Sequence, residues 1–445
     1  MGLKKHREHR GHRGLAGRPR HSRPMLTAAL STLTLLASAL TAGPADAAPA
    51  ATPHTRVVGE RPVSWTPHVL DGSVKTIAQV GDVVVVGGDF TRVTDPRRQR
   101  THTRENIFAF DYGTGRIRPD FAPRVKGTVR SLAAGPGDTV YVGGSFTGID
   151  GDGRRGVARL SVFTGRPVDG FSASLGNGSV YRLASYDDEL YIGGTFHSVN
   201  GVSRAALALL DAYTGEVDTG FDMRLSNSRR GSLRVQELAL SPGGTRLVVG
   251  GTFTRVLGQR RYQVAMVDTG VEPARLSRWS TEAYSAPCDY NRIHTYIRQI
   301  DFAPDGSYFV IVTAGGPYLK PGLCKTAARW ETGDIPNARY TWVNHTGGDS
   351  LYSVAATGPA VYVGGHQRWM DNPRGHLNAG PGAVHREGVA ALDPRTGASL
   401  PWNPGRQRGH GAEALTATPT GLFIGSDTER LAGYKRDRIG MFPLR

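Results

Sequence analysis

The sequence predicts an all-β fold, a seven-bladed β-propeller with four-stranded blades. A short apolar strand that ends in a glycine pair, or in its remnant, occurs seven times, at spacings of roughly 50 to 65 residues. The segments between the copies alternate apolar and polar residues and are punctuated by Gly and Asp, which is typical of strands and not of helices. The seven copies are Val83–Phe90, Val140–Phe146, Leu190–Phe196, Leu247–Phe253, Tyr308–Gly316, Val361–Gln367 and Leu422–Thr428.

Each repeat has four segments, and each segment predicts one strand of a blade. An apolar-x-x-apolar-small pattern comes first, as in Val74, Ile77 and Ala78. The glycine-pair strand follows, where the missing side chains let a neighbouring sheet approach closely. The third segment runs into an Asp-x-x-Thr-Gly turn, as in Ala109–Gly115, and a short aromatic strand such as that around Phe121 is the fourth. Seven such units describe a seven-bladed propeller.

The two ends of the repeat region are complementary. The last repeat stops after a third-type strand, Arg438–Leu444, whereas a fourth-type strand, Val63–Val69, precedes the first complete repeat. Pairing these two segments would complete the last blade and remove exposed sheet edges. We therefore expect a ring that is closed by an N-terminal strand in the C-terminal blade.

Residues 1–47 predict a secretory signal peptide. A basic stretch is followed by an apolar segment from Met25 to Ala42, and Ala45-Asp46-Ala47 supplies the small residues of a cleavage site. An uncleaved N-terminal anchor is the alternative, because about 18 weakly apolar residues can just span a thin bilayer. We expect cleavage after Ala47, a short linker over residues 48–60, a propeller over residues 61–445, and a secreted protein that stays at the cell envelope if the anchor is retained.

The chain is strongly basic, with a formal net charge of +16, and arginine supplies 47 of the 54 basic residues. A GC-rich genome, which favours arginine codons, explains this bias; the alternative is a surface that attracts anionic polymers. No nucleic-acid recognition motif occurs and the chain is expected to be exported. We therefore expect no nucleic-acid partner.

The glycine-pair strand with its Asp-x-x-Thr-Gly turn resembles the delta-sixty-type propeller repeat of exported bacterial proteins, over about residues 60–445. From Cys288 onward the chain resembles actinobacterial secreted propellers of unassigned function. The resemblance implies the fold and secretion, and it brings no catalytic residue. The turn is also similar to that of quinoprotein dehydrogenases, but the adjacent cysteine pair of those enzymes is absent, so no cofactor is expected. The segments that carry the actinobacterial resemblance are Asp301–Val310, Cys324–Gly333, Tyr362–Trp369 and Pro401–Gly409.

Two cysteines, Cys288 and Cys324, are the only ones in the chain. In an exported protein this count predicts one disulfide. The predicted strand order places Cys288 in the link that enters the fifth blade and Cys324 in the loop after that blade's second strand. Both positions fall on one face, so the bridge is expected to hold two long loops together.

Candidate binding residues concentrate between His345 and His410. The predicted strand order brings the loops after the second strands and the links between blades to one face, where function is expected. Arginine offers a planar fork for carboxylate or phosphate, and tryptophan offers a stacking face for a sugar ring. The alternative is that these side chains only organise the loops. The ligand-binding candidates are Arg368, Trp369, Arg386, Arg406, Arg408 and His410.

Catalytic candidates are few. A polysaccharide lyase would need a base such as His366 or His385. A glycosidase would need two facing carboxylates, for which Asp349 and Asp371 are the acids at hand. No HExxH, GxSxG or zinc-type cysteine spacing occurs, so no metal site is expected.

These observations favour an exported, monomeric protein that acts as a binding module and not as an enzyme. Its loop-rich face is expected to bind an extracellular or cell-envelope glycan, or a protein. The alternative is a polysaccharide-degrading enzyme, a lyase rather than a hydrolase. No membrane partner beyond export is expected.

Overall fold

A computed structural model of the chain describes residues 53–286, 288, 293–315 and 322–444. Within these ranges the regular secondary structure is β-strand, which confirms the all-β fold class. This part of the chain holds no helix that is long and apolar enough to cross a membrane. The predicted signal peptide, residues 1–47, lies outside the described residues.

Seven antiparallel main sheets follow one another along the described chain, and in each the first strand pairs with the second and the second with the third. We number them sheets 1 to 7. Their first, second and third strands are, in sheet 1, Val74–Val80, Val83–Gly88 and Ile107–Asp111; in sheet 2, Val129–Gly135, Thr139–Gly144 and Val157–Ser161; in sheet 3, Val180–Tyr186, Glu189–Gly194 and Leu207–Asp211; and in sheet 4, Val235–Leu240, Arg246–Gly251 and Val264–Asp268. In sheet 5 they are Ile297–Phe302, Tyr308–Thr313 and Thr326–Glu331; in sheet 6, Leu351–Ala356, Val361–Gly365 and Val389–Leu392; and in sheet 7, Ala412–Thr418, Gly421–Ser426 and Ile439–Pro443.

The predicted fourth strand is complete only in sheets 4 and 5 of the described chain, as Arg275–Leu276 and Trp342–His345. In sheets 1, 2, 3 and 6 it shrinks to a single bridge, such as that between Phe110 and Ile117. Five small sheets lie beside the main ones. Their strands are His68–Val69, Arg92–Thr94 and Thr101–Thr103; Ser198–Val199 and Val202–Ser203; Ser226–Ser228, Phe253–Val256 and Gln259–Arg260; Trp369–Met370 and Val384–His385; and Arg430–Leu431 and Tyr434–Lys435.

The apolar core lies between consecutive sheets. Seven clusters of buried side chains are present in the described residues, and each joins two neighbouring sheets. One of them joins sheet 7, through Phe423 and Met441, to sheet 1, through Val74 and Phe108. The first strands of sheets 1 and 7 are also in contact.

The two glycines of each pair make room for different neighbours. A Cβ on Gly87, the first glycine in sheet 1, would lie 2.4 Å from the Cγ1 of Val129 in sheet 2. A Cβ on Gly88, the second glycine, would lie 2.0 Å from the backbone oxygen of Ser73. The first glycine therefore sets the distance between sheets, and the second admits the segment that enters the first strand of its own sheet.

The first strand of each main sheet is an edge strand. In sheets 2, 3 and 6 its free backbone N–H groups are bound by side chains of the preceding sheet. Thr76 Oγ1 accepts a hydrogen bond from the backbone N–H of Leu132 at 3.0 Å. Gln299 Oε1 accepts one from the N–H of Val354 at 2.8 Å. These bonds satisfy groups that an open edge would leave exposed.

The described part of the predicted linker, residues 53–60, packs against sheets 6 and 7. Val58 is buried, and the N–H of Gly59 donates to the carbonyl of Pro443 at 2.9 Å. The N–H of Val63 donates in turn to the carbonyl of Met441, also at 2.9 Å. The N-terminal segment thus makes backbone hydrogen bonds to the third strand of sheet 7.

Cys288 and Cys324 form the predicted disulfide, with their Cα atoms 5.5 Å apart. Cys288 precedes the first strand of sheet 5 and Cys324 lies between the second and third strands of that sheet, both buried in one cluster with Trp330. A disulfide here restricts the unfolded chain and is compatible with an extracellular protein.

Candidate functional site

The loop candidates meet at Asp349, whose side chain is only 2% exposed. Its Oδ2 lies 2.9 Å from Nε of Arg368, and its Oδ1 lies 2.8 Å from Nη2 of Arg408. One buried carboxylate therefore holds two of the predicted ligand-binding arginines. Arg368 and Arg408 keep partial exposure, but their charges are already partnered.

Two further candidate arginines are buried and bind backbone or hydroxyl oxygens. Arg386 donates to the carbonyls of His385 and Leu400, each at 2.7 Å. Arg406 donates to Thr428 Oγ1 at 2.7 Å and to the carbonyl of Gly365 at 2.9 Å. Burial lowers the pKa of Arg406 to about 10. Both side chains organise the loops of sheets 6 and 7.

Both ring nitrogens of His366 are engaged. Its Nε2 accepts a hydrogen bond from the backbone N–H of Ser350 at 3.2 Å, which leaves Nδ1 to donate to the carbonyl of His410 at 3.0 Å. Burial lowers the pKa of His366, in keeping with a neutral ring. His385, the other candidate base, is exposed and lies in a two-stranded hairpin with Trp369.

Trp369 has one face covered, because the guanidinium carbon of Arg368 lies 4.4 Å from its ring centroid. This contact is a cation–π pair of ordinary geometry. It leaves the opposite face as the only one that a sugar ring could stack on.

We expect Asp349→Ala to destabilise the protein by about 2 kcal/mol, because two arginines lose their common buried partner. The partial exposure of both arginines lets water replace some of the lost interaction. Unfolding in urea measures the loss. Glu282→Ala is the matched control, since Glu282 forms an exposed pair with Arg260 at 2.7 Å; it should change stability by no more than about 0.5 kcal/mol. Equal effects of the two variants would contradict the prediction.

A second group of polar side chains comes from β-bulges. The pairing of the first and second strands shifts at the same place in all seven main sheets. In sheet 1, Val74 pairs with Gly88 and Thr76 with Gly87, so Lys75 is the extra residue. Bulges re-aim side chains and are common beside functional sites. The extra residues, Lys75, Arg130, Tyr181, Gln236, Arg298, Tyr352 and Glu413, all line one cavity of about 320 Å³, here termed the bulge cavity.

One side of the bulge cavity carries balanced charges. Lys75 Nζ lies 3.0 Å from Glu413 Oε2 and 3.2 Å from Asp89 Oδ2. His410 is the one loop candidate that lines this cavity in the described chain; its ring stacks on Tyr352 with centroids 4.9 Å apart. The hydrogen bond from His410 to Glu413 raises the pKa of this histidine.

Arg130 and Arg298 lie on the other side of the bulge cavity. Together with Arg234 they line an adjoining cavity of about 410 Å³, and the three are termed the arginine cluster. The guanidinium carbons of Arg130 and Arg234 lie 5.1 and 5.9 Å from the ring centroid of Tyr181. Arg234 donates to Nδ1 of His294 at 2.7 Å.

No carboxylate of the described residues neutralises the charges of the arginine cluster. Within the described ranges, no carboxylate oxygen lies within 4.0 Å of any of the three guanidinium groups. In the part of the chain that the structure describes, Arg298 donates to the carbonyls of Thr295 and Ile297. Burial lowers its pKa to about 10, with a smaller effect of the same sign from Arg234. Like charges held together without a counterion cost free energy that a bound anion would recover.

The sequence carries a signal for this site. The first x of the apolar-x-x-apolar-small pattern is polar in all seven repeats, as Lys75 and Arg130 illustrate. The bulge that turns these side chains towards one cavity has no comparable signal, because it is a shift in pairing between strands. Among the residues that the structure describes, no group of three or more His, Cys, Asp or Glu could hold a metal ion.

Comparison with known proteins gives one family match. The model described as "Domain of unknown function (DUF5122) beta-propeller" matches residues 187–221, which contain the second and third strands of sheet 3. No curated protein matches the chain. Among solved structures, the chain is similar to the computationally designed Ika8 protein, with 14% identity over 84% of this chain and 98% of that chain, at a TM-score of 0.43. The all-β structure and the family match together support a β-propeller domain of unknown function.

Proposed function

We propose that this β-propeller is a binding protein for an acidic glycan, and that the arginine cluster is its binding site. The observation that carries the proposal is the absence of a carboxylate partner, in the described chain, for three arginines that line one cavity. Guanidinium groups match carboxylate and sulfate oxygens in geometry as well as in charge. A uronate or sulfated sugar would supply the missing countercharge.

We further propose that the seven sheets are the blades of a closed ring. The cluster between sheets 7 and 1 supports this reading, as does the packing of Gly425 in sheet 7 on Val74 in sheet 1. The shared cavity of the seven bulge residues supports it too. The bulge cavity would then be one mouth of the central channel, so that the arginine cluster faces solvent at that mouth.

The aromatic contacts favour recognition by charge over recognition by stacking. Tyr181 faces the guanidinium groups of Arg130 and Arg234, and Tyr352 is stacked on His410. These rings orient cations and do not offer two free faces to a neutral sugar. The ligand-binding role of the loop residues around Asp349 stays a prediction, as does binding of a protein partner by the loop-rich face.

Export is part of the proposal, supported by the signal-peptide pattern and by the disulfide. That the protein is a monomer stays a prediction. The lyase alternative stays a prediction. His366, its first candidate base, would have to give up a hydrogen bond before it could accept a proton from a sugar.

Isothermal titration with trigalacturonate and with its neutral counterpart, galactotriose, tests the binding proposal. We expect the wild-type protein to bind the acid and not the neutral sugar, with an affinity that falls as salt is added. Arg130→Gln and Arg234→Gln should each weaken binding by about tenfold, the value of one charge-assisted hydrogen bond. Arg116→Gln is the control, because Arg116 pairs with Asp111 and is 69% exposed; it should leave the affinity unchanged.

A parallel titration with inorganic sulfate distinguishes a site for an acidic glycan from a site for a free oxyanion. If sulfate binds as tightly as the trisaccharide, the site takes a free oxyanion and the glycan proposal is wrong. Absence of binding to both acids, or equal binding by wild type and the Arg130→Gln/Arg234→Gln double variant, would remove the arginine cluster as the site.

A further inference from the structure

A second cavity of about 570 Å³ adjoins the bulge cavity, with which it shares Lys75, Arg182 and Glu413. It is termed the inner cavity here. Every one of the seven first strands contributes an aliphatic side chain to its lining, from Ile77 in sheet 1 to Leu415 in sheet 7. Its volume falls in the range of small-molecule sites.

One position of this lining holds a small uncharged residue in every first strand except that of sheet 5. The position after each aliphatic residue is alanine in five of the seven first strands and Thr416 in sheet 7, but in sheet 5 it is Asp301. Asp301 Oδ2 accepts a hydrogen bond from the backbone N–H of Ala356 at 2.7 Å. In the described part of the chain no lysine, arginine or histidine nitrogen lies within 4.0 Å of this carboxylate.

The other charges of the inner cavity cancel one another. Glu237 pairs with Arg182 at 2.5 Å, and Lys75 pairs with Glu413 at 3.0 Å. Asp301 is therefore the one described carboxylate of the lining that no cation balances. Asp301 is only half-buried, but a carboxylate that is partly withdrawn from water without a partner still costs the fold free energy. Six of the seven repeats avoid that cost by a small uncharged residue.

We propose that the inner cavity binds a small organic cation, with an aliphatic body against the seven first strands and a primary ammonium group against Asp301. One unbalanced carboxylate beside aliphatic side chains suits an ammonium ion, because the other two carboxylates of the lining are paired with Arg182 and Lys75. A divalent metal would require several oxygen ligands. The site shares no residue with the arginine cluster, so this inference does not rest on the proposed glycan binding.

The binding should depend on pH. The titratable groups that interact with Asp301 are Glu237 on the first strand of sheet 4 and Tyr308 on the second strand of sheet 5. Burial raises the pKa of Asp301 to about 7, so the free carboxyl is protonated at lower pH and must ionise to bind an ammonium group. Affinity for an amine should therefore rise between about pH 5 and pH 8.

Titration calorimetry of the full chain with n-hexylammonium, with 1-hexanol as the neutral analogue, tests the proposal. We expect the ammonium ion to bind at pH 8 and to bind at least tenfold more weakly to Asp301→Asn. The amide keeps the acceptor for the N–H of Ala356 and removes the charge. Asp305→Asn, in the exposed turn after the same strand, is the matched control and should bind as wild type does.

Three results would overturn the proposal: no binding of n-hexylammonium to the wild-type protein, equal binding to Asp301→Asn, or equal affinity for 1-hexanol. The Arg130→Gln/Arg234→Gln variant separates the two sites. It should retain the affinity for n-hexylammonium whether or not it has lost an acidic sugar.

Discussion

We expect the Asp301→Asn variant to be more stable than the wild-type protein at pH 8, by at most roughly 4 kcal/mol because Asp301 is only half-buried, and equally stable below about pH 4. Burial raises the pKa of Asp301 from 3.8 to about 7. Between these two values the folded protein binds a proton that the unfolded chain does not, so wild-type stability falls as pH rises through this window. Asparagine does not titrate and escapes the loss.

Urea unfolding of both proteins across this pH range measures the difference. Asp305→Asn is again the control, because hydrogen bonds from Ser307 lower the pKa of Asp305, so its contribution to the pH dependence has the opposite sign. A stability difference between wild type and Asp301→Asn that does not change with pH would show that the pKa of this carboxyl is not raised in the folded protein. A gain in stability together with a loss of amine binding is the pattern expected of a residue retained for function.

Gly194→Ala should destabilise the protein by about 3 kcal/mol, the upper end of the usual cost of overpacking. A Cβ at this position would lie 1.9 Å from the backbone oxygen of Ser179 and 3.0 Å from the Cα of Val180. These are backbone atoms of the segment that enters the first strand of sheet 3, so relief requires a shift of that segment. Thermal and urea unfolding measure the effect.

Gly243→Ala serves as the control for this substitution. Gly243 lies in an exposed turn, and a Cβ there would meet no atom within 4 Å. It should leave stability unchanged or raise it slightly, because alanine restricts the unfolded chain more than glycine does. If both alanine variants unfold alike, the close approach of Ser179 to Gly194 is not a constraint on the fold.

The fold was largely predictable because its signals are local and repeated. The seven glycine-pair strands, the strands on either side of them and the Cys288–Cys324 bridge are found where the repeat pattern places them. The predicted fourth strand was overestimated. In four sheets the predicted fourth segment makes only a single β-bridge. Residues such as Phe121 and Phe171 are held by packing between sheets and not by backbone pairing.

The candidate site was less predictable, because it depends on which charges meet. The sequence analysis selected loop arginines as ligand-binding residues. In the structure Asp349 binds two of them, Arg368 and Arg408, and Arg408 lies 59 residues from Asp349 along the chain. His410 alone of those candidates reaches the bulge cavity. The arginine cluster and Asp301 were missed, since nothing in a single strand reveals which of its polar residues lack a partner.

The sequence by itself determined the class of fold, the sevenfold repeat, the reason for the glycine pairs and the disulfide. Only the tertiary structure decided that seven bulged residues share a cavity and that Lys75 is neutralised by Glu413 from the other end of the chain. It also decided that no described residue neutralises Asp301 or the arginine cluster. The physical reason is range. Strand alternation and turn chemistry act between neighbours in the sequence, whereas charge compensation depends on distances that exist only after distant strands have packed together.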